Sequence, residues 1–136
     1  LITSGFNITA LTREDSKATF PDAIHVYKTD YDSESSLEGA FKGQDAVVSV
    51  IATAALGSQL KIIEAAAKAG VKRFIPSEFG VNVLRLKEGG IKKILGAKIQ
   101  ARELLEKLAA ENKEFTWTGI STNLFFDWVS SLPWRS

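Results

Sequence analysis

The chain has 136 residues, the length of one domain, with 17 basic and 16 acidic side chains and a formal charge of +1. Hydrophobic residues make up 45% of it, which excludes intrinsic disorder, a collagen-like repeat and a strongly basic nucleic-acid binder. The absence of cysteine and the single histidine exclude disulfide scaffolds, thiol nucleophiles and Cys- or His-rich metal centres.

Phe6 to Leu11 alternates apolar and polar residues and reads as a short strand, followed by a polar stretch holding Pro21. Ile24 to Tyr27 reads as a second strand. Asp32 or Ser33 can cap a helix with Leu37, Ala40 and Phe41 on its apolar face and Gly43 at its end. Ala46 to Ala52 is almost continuously apolar and β-branched, which predicts a strand buried on both faces. Gln59 to Ala69 predicts a helix with Leu60, Ile63 and Ala67 inward, closed by Gly70. Val71 to Pro76 predicts another buried strand, Val81 to Gly90 a loop, Ile91 to Asn112 a long helix, and Phe115 to Ile120 a last strand. Strands separated by helices argue for an α/β domain with a parallel sheet.

Charge is uneven along this order. Residues 61–113 carry twelve basic against six acidic side chains, whereas residues 1–60 carry four against eight. That fits either a solvated basic surface or a cationic rim around an anionic ligand.

Ligands of open α/β sheets bind beyond the carboxyl ends of the strands. Four places qualify. Arg13 leaves the first strand, where a guanidinium can hold a 2′-phosphate or simply face solvent. Ala52-Thr53 offers small residues to a flat ring, or only packs a turn. Pro76-Ser77-Glu78-Phe79-Gly80 follows a buried strand and is either a site loop or a helix cap with a turn. Ser121-Thr122-Asn123, with Phe125 and Phe126 beyond, is either a cleft wall or a polar turn.

The long helix adds a physical clue. Its stripe Ile91, Ile94, Lys98, Ala101, Leu105, Leu108 keeps spacings of three and four, and Lys98 occupies a hydrophobe's place. Such a lysine either snorkels its ammonium to water or points into a cleft, where it can act as general base or donate to a substrate oxygen.

The run Val71-Lys72-Arg73-Phe74-Ile75-Pro76-Ser77-Glu78-Phe79-Gly80 resembles the signature of the NmrA-like, isoflavone-reductase-like family of atypical short-chain dehydrogenase relatives. Leu11-Thr12-Arg13, the run Gly43 to Ser49, Gln59, the Lys98-x-x-x-Arg102 spacing and Phe115 to Ile120 followed by Phe125-Phe126-Asp127-Trp128 resemble it in the same order, the last as in fungal members. The resemblance covers essentially the whole chain. It implies a Rossmann-like doubly wound parallel sheet, a cofactor NADP(H), and hydride transfer to a small phenylpropanoid- or isoflavone-like molecule. It places the catalytic lysine at Lys98 and the 2′-phosphate arginine at Arg13. Thr53, Ser77, Phe79 and Asn123 fall on cofactor-cleft positions.

The resemblance also implies an incomplete domain. The family's first strand and its Gly-x-x-Gly-x-x-Gly turn have no counterpart here, and Gly89-Gly90 follows no strand. In the order 3-2-1-4-5-6 that strand lies between Phe6–Leu11 and Ala46–Ala52, so unpaired edges are expected there. Residues 1–128 then form a partial NAD(P)-binding domain, and residues 129–136 begin the region of a substrate domain. A chain without methionine that starts at Leu1 reads as processed or as a fragment.

No membrane span and no leader are visible, so a cytoplasmic protein with a small-molecule substrate is expected, without nucleic-acid or membrane partners. The alternative is a non-catalytic NAD(P)-binding redox sensor that acts through a protein partner. Retention of Lys98 favours the enzyme.

Overall fold

The computed structural model describes residues 2–85 and 95–123. Strands β1 (Thr9–Arg13) and β2 (His25–Thr29) pair in parallel, in register from Thr9 opposite His25 to Arg13 opposite Thr29. Strands β3 (Ala46–Val48), β4 (Arg73–Ile75) and β5 (Thr116–Trp117) form a second parallel group in that order. Among the described residues no strand joins β1 to β3. The division falls where the resemblance puts an additional strand.

Three helices connect these strands: α1 (Glu34–Phe41), α2 (Gln59–Lys68) and α3 (Gly96–Glu111). Serine caps α1 as expected: Ser33 Oγ accepts from the Ser36 N–H at 3.3 Å, satisfying one of the donors that a helix start leaves free. The end of α2 needs glycine. Gly70 sits at φ +83° while its N–H donates to Ala67 O and that of Val71 to Ala66 O. This left-handed turn absorbs two orphan carbonyls and drives Val71 into the core.

The helices pack in the row α1–α2–α3. Leu37 and Phe41 of α1, Ile62, Ile63 and Ala66 of α2, and Ala101 and Leu105 of α3 close over Phe74 and Phe115. Each large side chain buried here stabilises the fold by about 1.5–3 kcal/mol before chain entropy is counted. The face of α2 is rotated from the predicted one: Ile62, Ala65 and Ala66 are buried, whereas Leu60 and Ala67 are only half-buried. Contacts with α1 on one side and α3 on the other draw the flanking positions inward.

The expected two-sided burial of Ala46–Ala52 is corrected. Regular strand ends at Val48, Val47 packs on the core, and Val48 and Val50 face outward, Val50 being 76% exposed. The reason is that β3 pairs only with β4 among the described strands. Its second edge and second face then lack the cover that a central parallel strand has. The first strand also starts three residues later and ends two residues later than predicted, because its pairing with β2 runs from Thr9 to Arg13. Of the predicted long helix, Ile91 and Ile94 lie outside the described residues, as do Gly89-Gly90, Phe125 to Trp128 and residues 129–136.

Candidate active site

All strands of each group run parallel, so their carboxyl ends, and the loops that leave them, gather on one side of that group. Beyond β4 and β5 these loops meet the first turn of α3. The Ser77 N–H donates to Gln59 Oε1 at 2.7 Å, and Ser77 Oγ donates to Ile51 O at 2.9 Å. The Glu78 N–H turns back to Pro76 O at 2.7 Å. Residues 76–78 are buried, and these bonds fix the loop from below.

Asn123, at φ +60°, donates its N–H to Gly80 O at 2.9 Å and ties the loop after β5 to the loop after β4. Asparagine tolerates this left-handed conformation better than most side chains. Its exposed side chain and half-buried Phe79 border the same place.

Lys98 enters from α3. It is 7% exposed, with Ala101 and Leu105 below it on the stripe. Its Nζ lies 3.7 Å from the position a Cβ would take on Gly80, so the absent side chain there leaves the ammonium room over the loop. Lys98 is the third residue of α3, where the helix dipole is positive and a cation is electrostatically disfavoured. Packing alone would select a hydrophobe here, and helix electrostatics would select an acid.

Two neighbours complete the cluster. Glu78 is 3% exposed, and burial raises its carboxyl above the ordinary range, with Lys98 and Arg102 opposing the shift. Arg102 stacks 5.1 Å over the Trp117 ring and donates from Nε to Glu106 Oε1 at 3.1 Å.

Arg13 stands among different neighbours, at the end of β1 and 77% exposed, with its Nε 3.7 Å from Asp15 Oδ1. It borders an open depression with Asp30, Tyr31 and Asp32 at the end of β2. Tyr31 donates to Leu11 O at 3.0 Å; burial raises its phenol and the Arg13 charge opposes this. Thr53 opens a short 3-10 helix, Thr53–Ser58, that leads from the end of β3 into α2.

Thus Lys98, Ser77, Phe79 and Asn123 come together, whereas Arg13 and Thr53 lie at the ends of other strands. Two contributors went unassigned in the sequence. Gln59, fully buried, shows itself by sharing the 3.6-residue face of Ile62, Ile63 and Ala66. Glu78 shows itself only by following a buried strand. Among the described residues no group of acidic or histidine side chains could hold a metal ion, and no helix is long and apolar enough to cross a membrane.

The chain matches the NmrA-like family over residues 1–135. It is similar to the oxidoreductase aprR of Aspergillus flavus, 42% identical over 125 residues, covering 90% of this chain and 41% of that protein. It is also similar to the isoflavone reductase homolog IRL of Zea mays, 42% identical over 94 residues, covering 65% of this chain and 29% of that one. The solved structure of AtPrR2 with NADP+ and (+)pinoresinol shares the fold at a TM-score of 0.74 and 23% identity, covering 88% of this chain and 43% of the other. The chain spans about two fifths of the length of the fungal relative.

Proposed function

The chain belongs to the NmrA-like family, and we propose that it forms the cofactor-binding core of an NADPH-dependent reductase of small phenylpropanoid- or isoflavone-like molecules. The observation that carries this reading is Lys98, a nearly buried cation in the first turn of α3, held over a loop whose glycine leaves it room. The helix dipole disfavours that placement, so a role in chemistry accounts for it better than stability does. The oxidoreductase and isoflavone reductase relatives support the reaction class.

The residues present fit NADP(H). Arg13 offers an exposed guanidinium at the end of β1, in a long contact with Asp15. Such a fork suits a 2′-phosphate once that contact yields. Thr12 Oγ1, Ser49 Oγ and Gln59 Nε2 are buried without partners among the described residues and flank the ends of β1 and β3 and the start of α2. Buried polar atoms normally find partners, so these mark where the fold leaves hydrogen-bonding capacity open. In this reading Thr53, Ser77, Phe79 and Asn123 shape the cleft and residues 1–128 form the cofactor domain. Ser77 contributes chiefly by holding the loop, since its N–H and hydroxyl donate inward.

When bound, NADPH supplies the hydride. Lys98 Nζ gives a proton to, or takes one from, the substrate oxygen at which charge develops. Gly80 sets no side chain against that nitrogen, and the Ser77 and Asn123 bonds tie down the loop beside it.

The test replaces Lys98 with Met in the complete gene product. NADPH oxidation with a panel of phenylpropanoid substrates should fall by about 10²–10⁴-fold. NADPH affinity should stay within about threefold, as for a group that acts in the transition state. Unchanged turnover would overturn the assignment.

A further inference from the structure

The apolar stripe of α3 does not by itself fix the helix. Ala101 and Leu105 set its depth in the core. Its first turn has no side-chain cap, since Leu95 stands at the N-cap. Hydrophobic attraction is non-directional, so one apolar stripe constrains roll about the helix axis least. A roll of about 20° would carry a side-chain tip, about 5–6 Å from that axis, by about 2 Å. In Lys98 such a displacement would take Nζ from its place beside Gly80.

One contact of α3 is directional. Arg102 lies one turn after Lys98 on the same side of the helix. Its Cζ stands over the Trp117 ring, 5.1 Å from the centroid. Its Nε donates to Glu106 Oε1 at 3.1 Å, so the guanidinium is braced from its own helix. A hydrophobe would serve packing against the ring equally well. A planar cation adds orientation, because it is attracted to the ring's face.

The ring is placed in turn by the sheet. Trp117 ends β5, in register with Phe74 of β4, and the N–H of Thr118 donates to Phe74 O at 3.1 Å. At Gly119 a Cβ would stand 3.4 Å from Trp117 Cζ3, so bare backbone there makes room for the ring. Phe74 lies two residues before Pro76, where the 76–80 loop begins. The stack thus refers α3 to the strand whose exit loop lies beside Lys98.

We propose that Arg102 and Trp117 are positioning residues for Lys98: their stack sets the roll of α3 against β5, and with it the place of Nζ beside Gly80. The proposal deepens the reading of Lys98 as the acid–base residue and rests on it. Neither residue need touch substrate or cofactor.

The test has two readouts, both on the complete gene product. Crystal structures compare the parent with Trp117→Leu, which keeps an apolar side chain and offers no ring face. Lys98 Nζ should move by about 1–2 Å relative to Gly80 Cα. With the phenylpropanoid panel, kcat should fall by about 10–100-fold, the scale on which a displacement of about 1 Å acts. KM and NADPH affinity should stay within about threefold, a split that lost stability alone would not produce. Trp117→Phe restores a ring face. It should keep Nζ within about 0.5 Å of its place and kcat within about threefold of the parent.

An unmoved Nζ in Trp117→Leu overturns the proposal. So does a Trp117→Phe enzyme that loses as much kcat as Trp117→Leu. If Trp117→Leu does not fold, Arg102→Met decides by the same structural comparison, and an unmoved Nζ overturns the proposal there too. The outcome is separable from that of Lys98→Met. A displaced Nζ with unchanged turnover supports the stack and refutes the catalytic reading of Lys98, whereas an unmoved Nζ refutes the stack whatever Lys98→Met shows.

Discussion

Gln59 provides a quantitative test of how the site loop is held. Its Oε1 accepts the Ser77 N–H at 2.7 Å in a fully buried position, and its Nε2 is buried with no partner among the described residues. Replacement by Leu has two opposed effects. The Ser77 N–H loses its acceptor, which costs about 1–3 kcal/mol, and the orphaned amide nitrogen disappears, which returns a similar amount of about 1–3 kcal/mol. Leucine has nearly the same volume, so no sizeable cavity offsets the balance. Gln59→Leu should therefore change the unfolding free energy by no more than about 1 kcal/mol. Gln59→Glu keeps an acceptor for Ser77 but buries a carboxylate, and should cost about 3 kcal/mol or more at neutral pH. That loss should shrink as pH falls and the introduced carboxyl is protonated. Urea unfolding followed by tryptophan fluorescence measures both variants. If Gln59→Leu lost more than about 3 kcal/mol, Nε2 would have a strong partner and the orphan argument would fail. If Gln59→Glu were as stable as the parent, the site would be wetter than its burial indicates.

Two further outcomes follow from charge. Arg13→Ala should weaken NADPH binding by about tenfold or more and leave NADH binding nearly unchanged, because only NADPH carries the 2′-phosphate; titration with both nucleotides checks this, and equal losses would sink the role. Burial raises the Glu78 carboxyl, so the folded state holds its proton to higher pH than the unfolded chain does. The associated stability is fully present below the ordinary carboxyl range and is lost as pH rises through the raised value. Glu78→Gln should remove that slope, so its stability relative to the parent should increase from acid toward neutral pH in parallel denaturant titrations.

Much of the fold was legible in the sequence because the relevant signals are local. Ser33 followed by an apolar 3–4 pattern marked α1, and glycine at 70 marked the end of α2, since only a left-handed residue completes that cap. The buried stripe of α3 exposed Lys98 as the exception to its own period, and the structure keeps that residue nearly buried. The strand Ala46–Ala52 departs from its expected burial for a non-local reason. Its apolar run describes a central strand, but burial depends on what lies against its second edge and face, which no window of β3 records.

The cluster around Lys98 divides the same way. The helix period singles out Lys98, and the family resemblance names Ser77, Phe79 and Asn123 individually. Tertiary structure decided that Asn123 is tied to Gly80, that Ser77 is held by Gln59 and Ile51, and that Arg13 lies with Tyr31 instead. It also buried Glu78, which its place in the sequence does not reveal. Periodicity and capping are set by neighbours within a few residues and survive in one dimension. Which loops meet over the first turn of α3 depends on which strand ends lie beside which helix, and only the folded chain determines that.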